Sequence, residues 1–406
     1  MNIDGQRRVA VVTPWYPEPQ IPFRGSFVRA MVDAVSPGCA DITVYHLSIW
    51  TVVRPAERRA EIWNAQRLLL PRSVPPIAAD GGVTLYRVPT MAPPTEDWRV
   101  KSDEFAGWLA VALDGRPIEA PIVHAHVPLT AGYAALQNCR PDAKVYATEH
   151  SSFLADILAQ DDARARYDEI LHRLAGFFVV GDPLREMVAD TFPHHADKIQ
   201  LISNPVDFRA SRERPPEALR RWVSVSSLTE RKRIDHLLRG FARCLAEDPQ
   251  LSLTLVGDGN QRTELEELAA ELGVAEAVAF RGAVEPDAIP GIMAEHDLLV
   301  HTSRHETFGM VVVEGLAAGI PVLVTRCGGP EHALAGIEAA AGQFIDVDDD
   351  PAVLAKGYDE LRGRYPHGVD LDRARAHLEE RYGYEAVARQ HFEAWDRPAE
   401  TEERDR

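Results

Sequence analysis

Short apolar runs rich in Val, Ile and Leu alternate with segments of helical period along almost the whole chain. In the first half, Val9–Thr13, Ile42–Leu47, Val83–Val88, Ile122–His126, Val145–Thr148 and Phe177–Val180 predict strands. A second series starts near Trp222, with strands predicted at Val223–Ser226, Leu251–Val256, Val278–Phe280, Leu298–His301 and Val322–Val324. Between them, Ile234, Leu237, Leu238, Phe241 and Leu245 recur at helical spacing. Leu265, Leu268, Ala269 and Leu272 do the same ahead of Gly273, which reads as a helix C-cap. This alternation is the signature of βαβ units and mostly parallel sheets.

At 406 residues the chain exceeds what one hydrophobic core supports, so two domains are expected. The turn Asn204-Pro205-Val206-Asp207, followed by a stretch rich in Arg, Glu and Pro up to Pro216, reads as the linker. The expected division is an N-terminal Rossmann-like domain over 1–205 and a C-terminal one over 206–380. A helix over 381–397 is expected to pack back toward the N-terminal domain, and 398–406 to form a disordered polar tail. Open α/β sheets bind ligands beyond the carboxyl ends of their strands. Chemistry should therefore lie in the loops that leave strands and feed helices.

Charge narrows the partners. A net charge of −18 opposes nucleic acid phosphates, so no nucleic acid partner is expected. One basic patch runs against the mean: Arg54, Arg58, Arg59, Arg67 and Arg72 surround Ile62, Trp63 and Leu68–Leu70. It reads either as an amphipathic helix with a solvated basic face or as a surface that meets an anionic or lipid-linked acceptor, with peripheral membrane contact through 54–72. Cys39, Cys139, Cys244 and Cys327 show no Cys-x-x-Cys spacing, which fits a reducing compartment. The N-terminus leads into a strand without a signal-peptide core, and no apolar run reaches membrane-spanning length, so a cytoplasmic protein is expected.

The densest motif runs from His301 to Glu331 and contains Glu306-Thr307-Phe308-Gly309-Met310, then Glu314 eight residues after the first glutamate. Glu306 ends a strand-to-helix loop, where a carboxylate can accept hydrogen bonds from sugar hydroxyls. Phe308-Gly309-Met310 opens a helix whose backbone N–H groups and positive dipole end face a ligand. Glu314 is expected roughly 12 Å along the helix axis at 1.5 Å per residue. In Val225-Ser226-Ser227-Leu228-Thr229-Glu230-Arg231-Lys232, two cations follow a strand end, where positioned charges can stabilise a departing diphosphate. Leu255-Val256-Gly257-Asp258-Gly259 puts glycines after a strand, where a loop can pass close to a ligand. Phe280-Arg281-Gly282-Ala283-Val284 follows one strand later.

These motifs resemble those of glycosyltransferase family 4, the retaining group 1 enzymes with the GT-B fold. The hallmark is Glu306-x7-Glu314 with Phe308-Gly309 after the first glutamate. The resemblance implies two Rossmann-like doubly wound domains facing an interdomain cleft. It implies that Glu306 contacts the donor sugar, that Glu314 holds the ribose, and that Lys232, helped by Arg231, holds the donor phosphates. Many relatives carry Gly-Arg where this chain has Ser226-Ser227. The Val284 turn is where relatives read the nucleotide base. Gly25, in Phe23-Arg24-Gly25-Ser26-Phe27-Val28, matches the family's first glycine loop, near donor phosphates and acceptor. His150 matches a histidine beside the transferred sugar, and Trp15, Tyr16 and His126 are acceptor-side candidates.

The expected reaction moves a hexose-type sugar, with retention, from a UDP-linked donor to a hydroxyl of a glycan, a glycolipid or a small natural product. Asp346-Val347-Asp348 has the form of a metal-chelating Asp-x-Asp. Its place just before Pro351 and a helix reads as acidic helix-start chemistry, so neither metal nor cofactor is expected. Two alternatives stay open: a nucleotide-sugar 2-epimerase of the same fold, and a catalytically idle nucleotide-sugar-binding protein.

Overall fold

The computed structural model describes residues 7–49, 75–78, 82–93 and 95–397. The Arg-rich segment 54–72 and the tail 398–406 lie outside the described residues. The described chain forms two compact units. One takes the residues up to Val180, Leu184–Asn204 and those from Val387 onward; the other takes Gly181–Pro183 and Pro205–Ala386.

The first unit is built on an eight-stranded sheet: β1 (Arg7–Thr13), β2 (Cys39–Ile49), β3 (Ile77–Ala78), β4 (Val83–Thr90), β5 (Ile122–His126), β6 (Lys144–Glu149), β7 (Gly176–Val179) and β8 (Ile199–Leu201). Their spatial order is β3-β4-β2-β1-β5-β6-β7-β8. All pairs are parallel except the short β3–β4 hairpin pairing. Helices α1 (Ser26–Val35) and α2 (Asp161–Arg173) belong to this unit. The final helix, Tyr384–Trp395, returns to it from Val387: Tyr146 Oη donates to the carbonyl of Ala394 at 3.3 Å, and Arg7 Nε donates to Asp396 at 3.1 Å.

The second unit carries six parallel strands, β9 (Arg221–Val225), β10 (Ser252–Val256), β11 (Val278–Gly282), β12 (Leu298–His301), β13 (Val322–Thr325) and β14 (Gly342–Ile345). Their order is β11-β10-β9-β12-β13-β14, the doubly wound arrangement whose direction of winding reverses between β9 and β12. Every residue of β12 and β13 is buried, as a parallel sheet covered on both faces requires. Helices α3 (Ile234–Glu247), α4 (Met310–Ala317) and α5 (Pro351–Arg364) pack here. Trp222 anchors the core. Its indole donates to the carbonyl of Leu219 at 3.0 Å, and its ring meets Phe241 and Tyr358 edge-on at 5.3 and 4.7 Å.

Three strands escape the periodicity reading. β3 and β8 have two and three residues, too few for a pattern to show, and β14, Gly-Gln-Phe-Ile, has only two adjacent apolar side chains. The helix before Glu314 is also shorter than expected. It begins at Met310, so only four of the eight steps from Glu306 are helical, about 6 Å of rise rather than 12.

Phe241 is fully buried against Trp222. Phe241→Ala should destabilise the second unit by about 3–5 kcal/mol. Urea unfolding followed by circular dichroism should show one transition moved to lower urea; an unmoved transition would contradict this packing.

Candidate functional site

Two loops meet at the β9/β12 switch point. The loop after β9 forms a short turn, Glu230–Lys232, and the loop after β12 runs through Thr302–Gly309 into α4. The loops are stitched together by backbone-directed bonds. Thr302 Oγ1 donates to the carbonyl of Lys232 at 3.0 Å, and the Arg304 N–H donates to that of Arg231 at 2.9 Å. This brings Lys232 Nζ to 2.5 Å from Glu306 Oε1, with Arg231 3.5 Å from Glu306 Oε2. His301, the last residue of β12, adds a third partner through Nε2 at 3.2 Å from Oε1.

Glu306 is only 8% exposed. Burial alone would raise its pKa. The His301 hydrogen bond and the charges of Lys232 and Arg231 outweigh that and hold the carboxyl well below the usual carboxylate range. Burial lowers the pKa of His301, so its imidazole is neutral and donates Nε2–H to the carboxylate. The Glu306 backbone is equally fixed: its N–H donates to Cys327 O at 2.8 Å, and its carbonyl accepts from Gly329 at 2.9 Å.

Other residues singled out by sequence divide into two kinds. Gly309 caps α4 at φ +83°, a conformation that favours glycine, and leaves the backbone of Thr307–Met310 at the helix mouth. Phe308 sends its side chain into the interior, 5.0 Å from the Tyr382 ring, so only its backbone is available to a ligand. Gly257 and Gly259 have a protein reason for being glycine. A Cβ on either would fall 1.9 Å from the carbonyl oxygen of Ser226 or 2.2 Å from that of Leu228. The close approach these glycines permit is to the neighbouring loop. Val284 is half-buried just past β11. Glu314 is half-buried on α4, and burial pushes its carboxyl up to about 7.

The acidic run near Asp346 serves the fold. Asp350 caps α5 by accepting from the Ala352 N–H at 2.9 Å, and Asp349 pairs with Arg233 at 2.8 Å. Among the described residues, the run belongs to no metal-holding group.

In the first unit the corresponding switch point lies between β1 and β5. Gly25, at φ +74°, caps α1 with its backbone against Trp15; an added Cβ would lie 2.3 Å from the Trp15 carbonyl. Trp15 meets Phe27 edge-on at 6.0 Å, and Phe27 packs at 4.5 Å on His150. His150 Nε2 lies 2.8 Å from His126 Nδ1. Burial, with His124 adding to it, pushes the His150 pKa down to about 3; burial also holds those of His124 and His126 well below the usual histidine range. His126 is 1% exposed and Tyr16 is 6% exposed. Neither side chain is open to solvent, and His126 stacks between His124 and His150.

The profile described as "Glycosyl transferases group 1" matches residues 208–363, and the one described as "Glycosyltransferase Family 4" matches residues 67–209. The chain belongs to the group 1, family 4 glycosyltransferases. An uncharacterized glycosyltransferase of Methanocaldococcus jannaschii is 33% identical over 165 residues, 37% of this chain and 42% of that protein. A D-inositol 3-phosphate glycosyltransferase of Streptomyces avermitilis is 29% identical over 296 residues, 70% of this chain and 60% of that protein. The chain thus spans about two to three fifths of the length of these curated relatives. The Anabaena protein HepE, solved in complex with UDP, matches with a TM-score of 0.67 at 16% identity, over 96% of this chain and 99% of that one. The shared fold is GT-B, with two Rossmann-like units.

Within this family 4 chain, two supporting residues escaped the motif reading. His301 opens the motif but the sequence gives it no role there, yet it is a direct partner of Glu306. Glu149 is 2% exposed. Its Oε1 accepts the backbone N–H groups of His150 and Ser151, both at 2.8 Å, and its Oε2 accepts from Tyr167 Oη at 2.9 Å. It fixes the loop that carries His150. Among the described residues, no helix is long and apolar enough to cross a membrane.

The raised pKa of Glu314 has a consequence for stability. Between about pH 4.5 and 7 the folded chain keeps a proton there that the unfolded chain releases, so ionising Glu314 costs stability as pH rises through that window. Glu314→Gln should match the wild type near pH 4.5 and exceed it by about 1–3 kcal/mol at pH 8. Urea titrations at both pH values check this; an equal difference at the two would be the contrary result.

Proposed function

We propose that the chain transfers a hexose-type sugar from a nucleoside diphosphate sugar to an acceptor hydroxyl, with retention at the anomeric carbon and without a metal ion. The observation that carries this reading is the convergence of Lys232, Arg231 and Glu306 at the carboxyl ends of β9 and β12, beside the mouth of α4. A departing diphosphate gains negative charge, and preorganised cations in a half-buried crevice stabilise that charge without a metal. In this reading Lys232 takes the diphosphate, with Arg231 beside it. Glu306 and the backbone of Phe308-Gly309 hold the sugar, and Glu314 holds the ribose. Val284 and its turn face the base. Uracil is the proposed base, supported by the UDP bound to HepE. The acceptor is a glycan, glycolipid or small natural product, with Trp15 and His150 on its side. Attack comes from the face that the leaving group departs, and a donor phosphate oxygen takes the acceptor proton.

Lys232 and Glu306 hold each other in the donor-free chain. Donor binding therefore gives Lys232 a diphosphate in place of Glu306, while Glu306 keeps His301 and takes up sugar hydroxyls. Removing Lys232 would still leave Glu306 with His301 and Arg231, so the Lys232→Ala chain should fold.

A thermal-shift screen against UDP, GDP, ADP and their sugars tests the donor. A ligand at 100 times its Kd stabilises the fold by about 2.7 kcal/mol. UDP or a UDP-sugar should raise the melting temperature of the wild type, and much less that of Lys232→Ala and Glu314→Ala. Transfer by Lys232→Ala should fall by about 100- to 1,000-fold. No shift with any nucleotide at millimolar concentration would sink the donor reading. NMR of the product settles retention, and an inverted anomeric carbon would overturn that part alone.

A further inference from the structure

A cluster of metal-ligating side chains lies in the first unit, away from the strand ends that carry the site described above. Asp168 sits on α2. His194 and His195 sit in the short turn Pro193–Lys198, which leads directly into β8. That turn enters its strand, so the cluster lies at the amino-terminal edge of the sheet, whereas His150 and Trp15 follow strand ends.

Adjacent residues ordinarily point their side chains apart. Here the tight turn brings both imidazoles onto one carboxylate oxygen. His194 Nε2 is 2.7 Å and His195 Nε2 is 3.1 Å from Asp168 Oδ1, and the two rings are 4.2 Å apart. The ligating atoms of all three lie within 4.8 Å of one another. His195 is only 5% exposed, which fixes one ring in place. His194 and Asp168 are open enough to admit an ion and its water. Lys198, the nearby cation, is turned onto carbonyls at the end of α2, those of Leu171, His172 and Leu174, at 2.9–3.2 Å.

We propose that Asp168, His194 and His195 form a binding site for a divalent transition-metal ion, with water completing a four-coordinate shell. Two imidazoles and one carboxylate suit a borderline ion such as Zn²⁺ better than Mg²⁺ or Ca²⁺, which prefer all-oxygen shells. On binding, each imidazole turns its Nε2 from the contact with Asp168 Oδ1 to the ion. The ion ties α2 to the turn before β8. It strengthens the unit from the amino-terminal edge of the sheet, away from the strand ends that carry Trp15 and His150.

Untagged full-length protein, stripped with chelator, is titrated with ZnCl₂ at neutral pH by calorimetry and melted with and without the metal. The expected result is a single zinc ion per chain and a higher melting temperature. His194→Ala and Asp168→Asn should each weaken binding on the order of 100-fold and abolish the thermal shift. His367→Ala, at an exposed histidine of the other unit, should do neither. Circular dichroism of the variants confirms that they fold; His194 is 60% exposed, so its truncation leaves no core void. Absence of saturable zinc binding to the wild type would overturn the proposal. So would equal affinity in the His194→Ala and His367→Ala chains, the mark of adventitious surface binding.

Discussion

A carboxylate taken out of water must find charge or hydrogen-bond partners, and Glu306 is the place where this chain meets that requirement. Lys232, Arg231 and His301 surround it, coming from the ends of two strands that are neighbours only because the sheet reverses its winding between them. Breaking a buried pair costs about 3–5 kcal/mol, which is enough to keep both loops in register while the crevice is empty. In the proposed function, the same charges that stabilise the donor-free fold are the ones a diphosphate and a sugar use. Binding chemistry and loop stability are thus two readings of one set of contacts.

The first unit solves the opposite problem. His124 and His126 lie on one face of β5, His150 follows β6, and His391 comes from the final helix; the first three rings stack at 4.8 and 5.1 Å, and His391 lies tilted 5.3 Å from His124. Among the described residues no carboxylate bonds to these rings, as Glu306 does to its partners, since Glu149 spends its oxygens on backbone N–H groups and Tyr167, and burial lowers the row, with His391 pushed down to about 4 and His150 to about 3. A neutral row can orient His150 through the His126 hydrogen bond without burying an uncompensated charge. One unit is organised around paired charges and the other around their suppression.

Much of this was legible in the chain. Continuous Val and Leu runs such as Leu298–His301 mark strands buried on both faces, because a parallel sheet covered by helices tolerates nothing else. Periodicity at Ile234, Leu237, Leu238 and Phe241 marks the face that packs on Trp222. Residues that follow strand ends were legible as site candidates because topology alone sends ligands there, which covers Lys232, Glu306 and His150. β3 and β8, of two and three residues, and β14, Gly-Gln-Phe-Ile, were not, since none carries an apolar run long enough to mark a strand.

Side-chain roles were decided only in three dimensions. Local pattern could nominate Gly257 and Gly259 as loop glycines, but the atoms they avoid belong to Ser226 and Leu228, about thirty residues earlier. It could nominate Tyr16 and His126 as acceptor-side candidates, but packing buries both. It gave no sign that Lys232 and Glu306, 74 positions apart, hold each other, or that two neighbouring histidines would turn onto Asp168. Sequence by itself determined the periods, and through them the strands, helices and doubly wound class, because those rest on interactions between near neighbours. The tertiary structure decided which polar groups face each other, because burial and charge pairing act between residues that only the completed fold brings within a few ångströms.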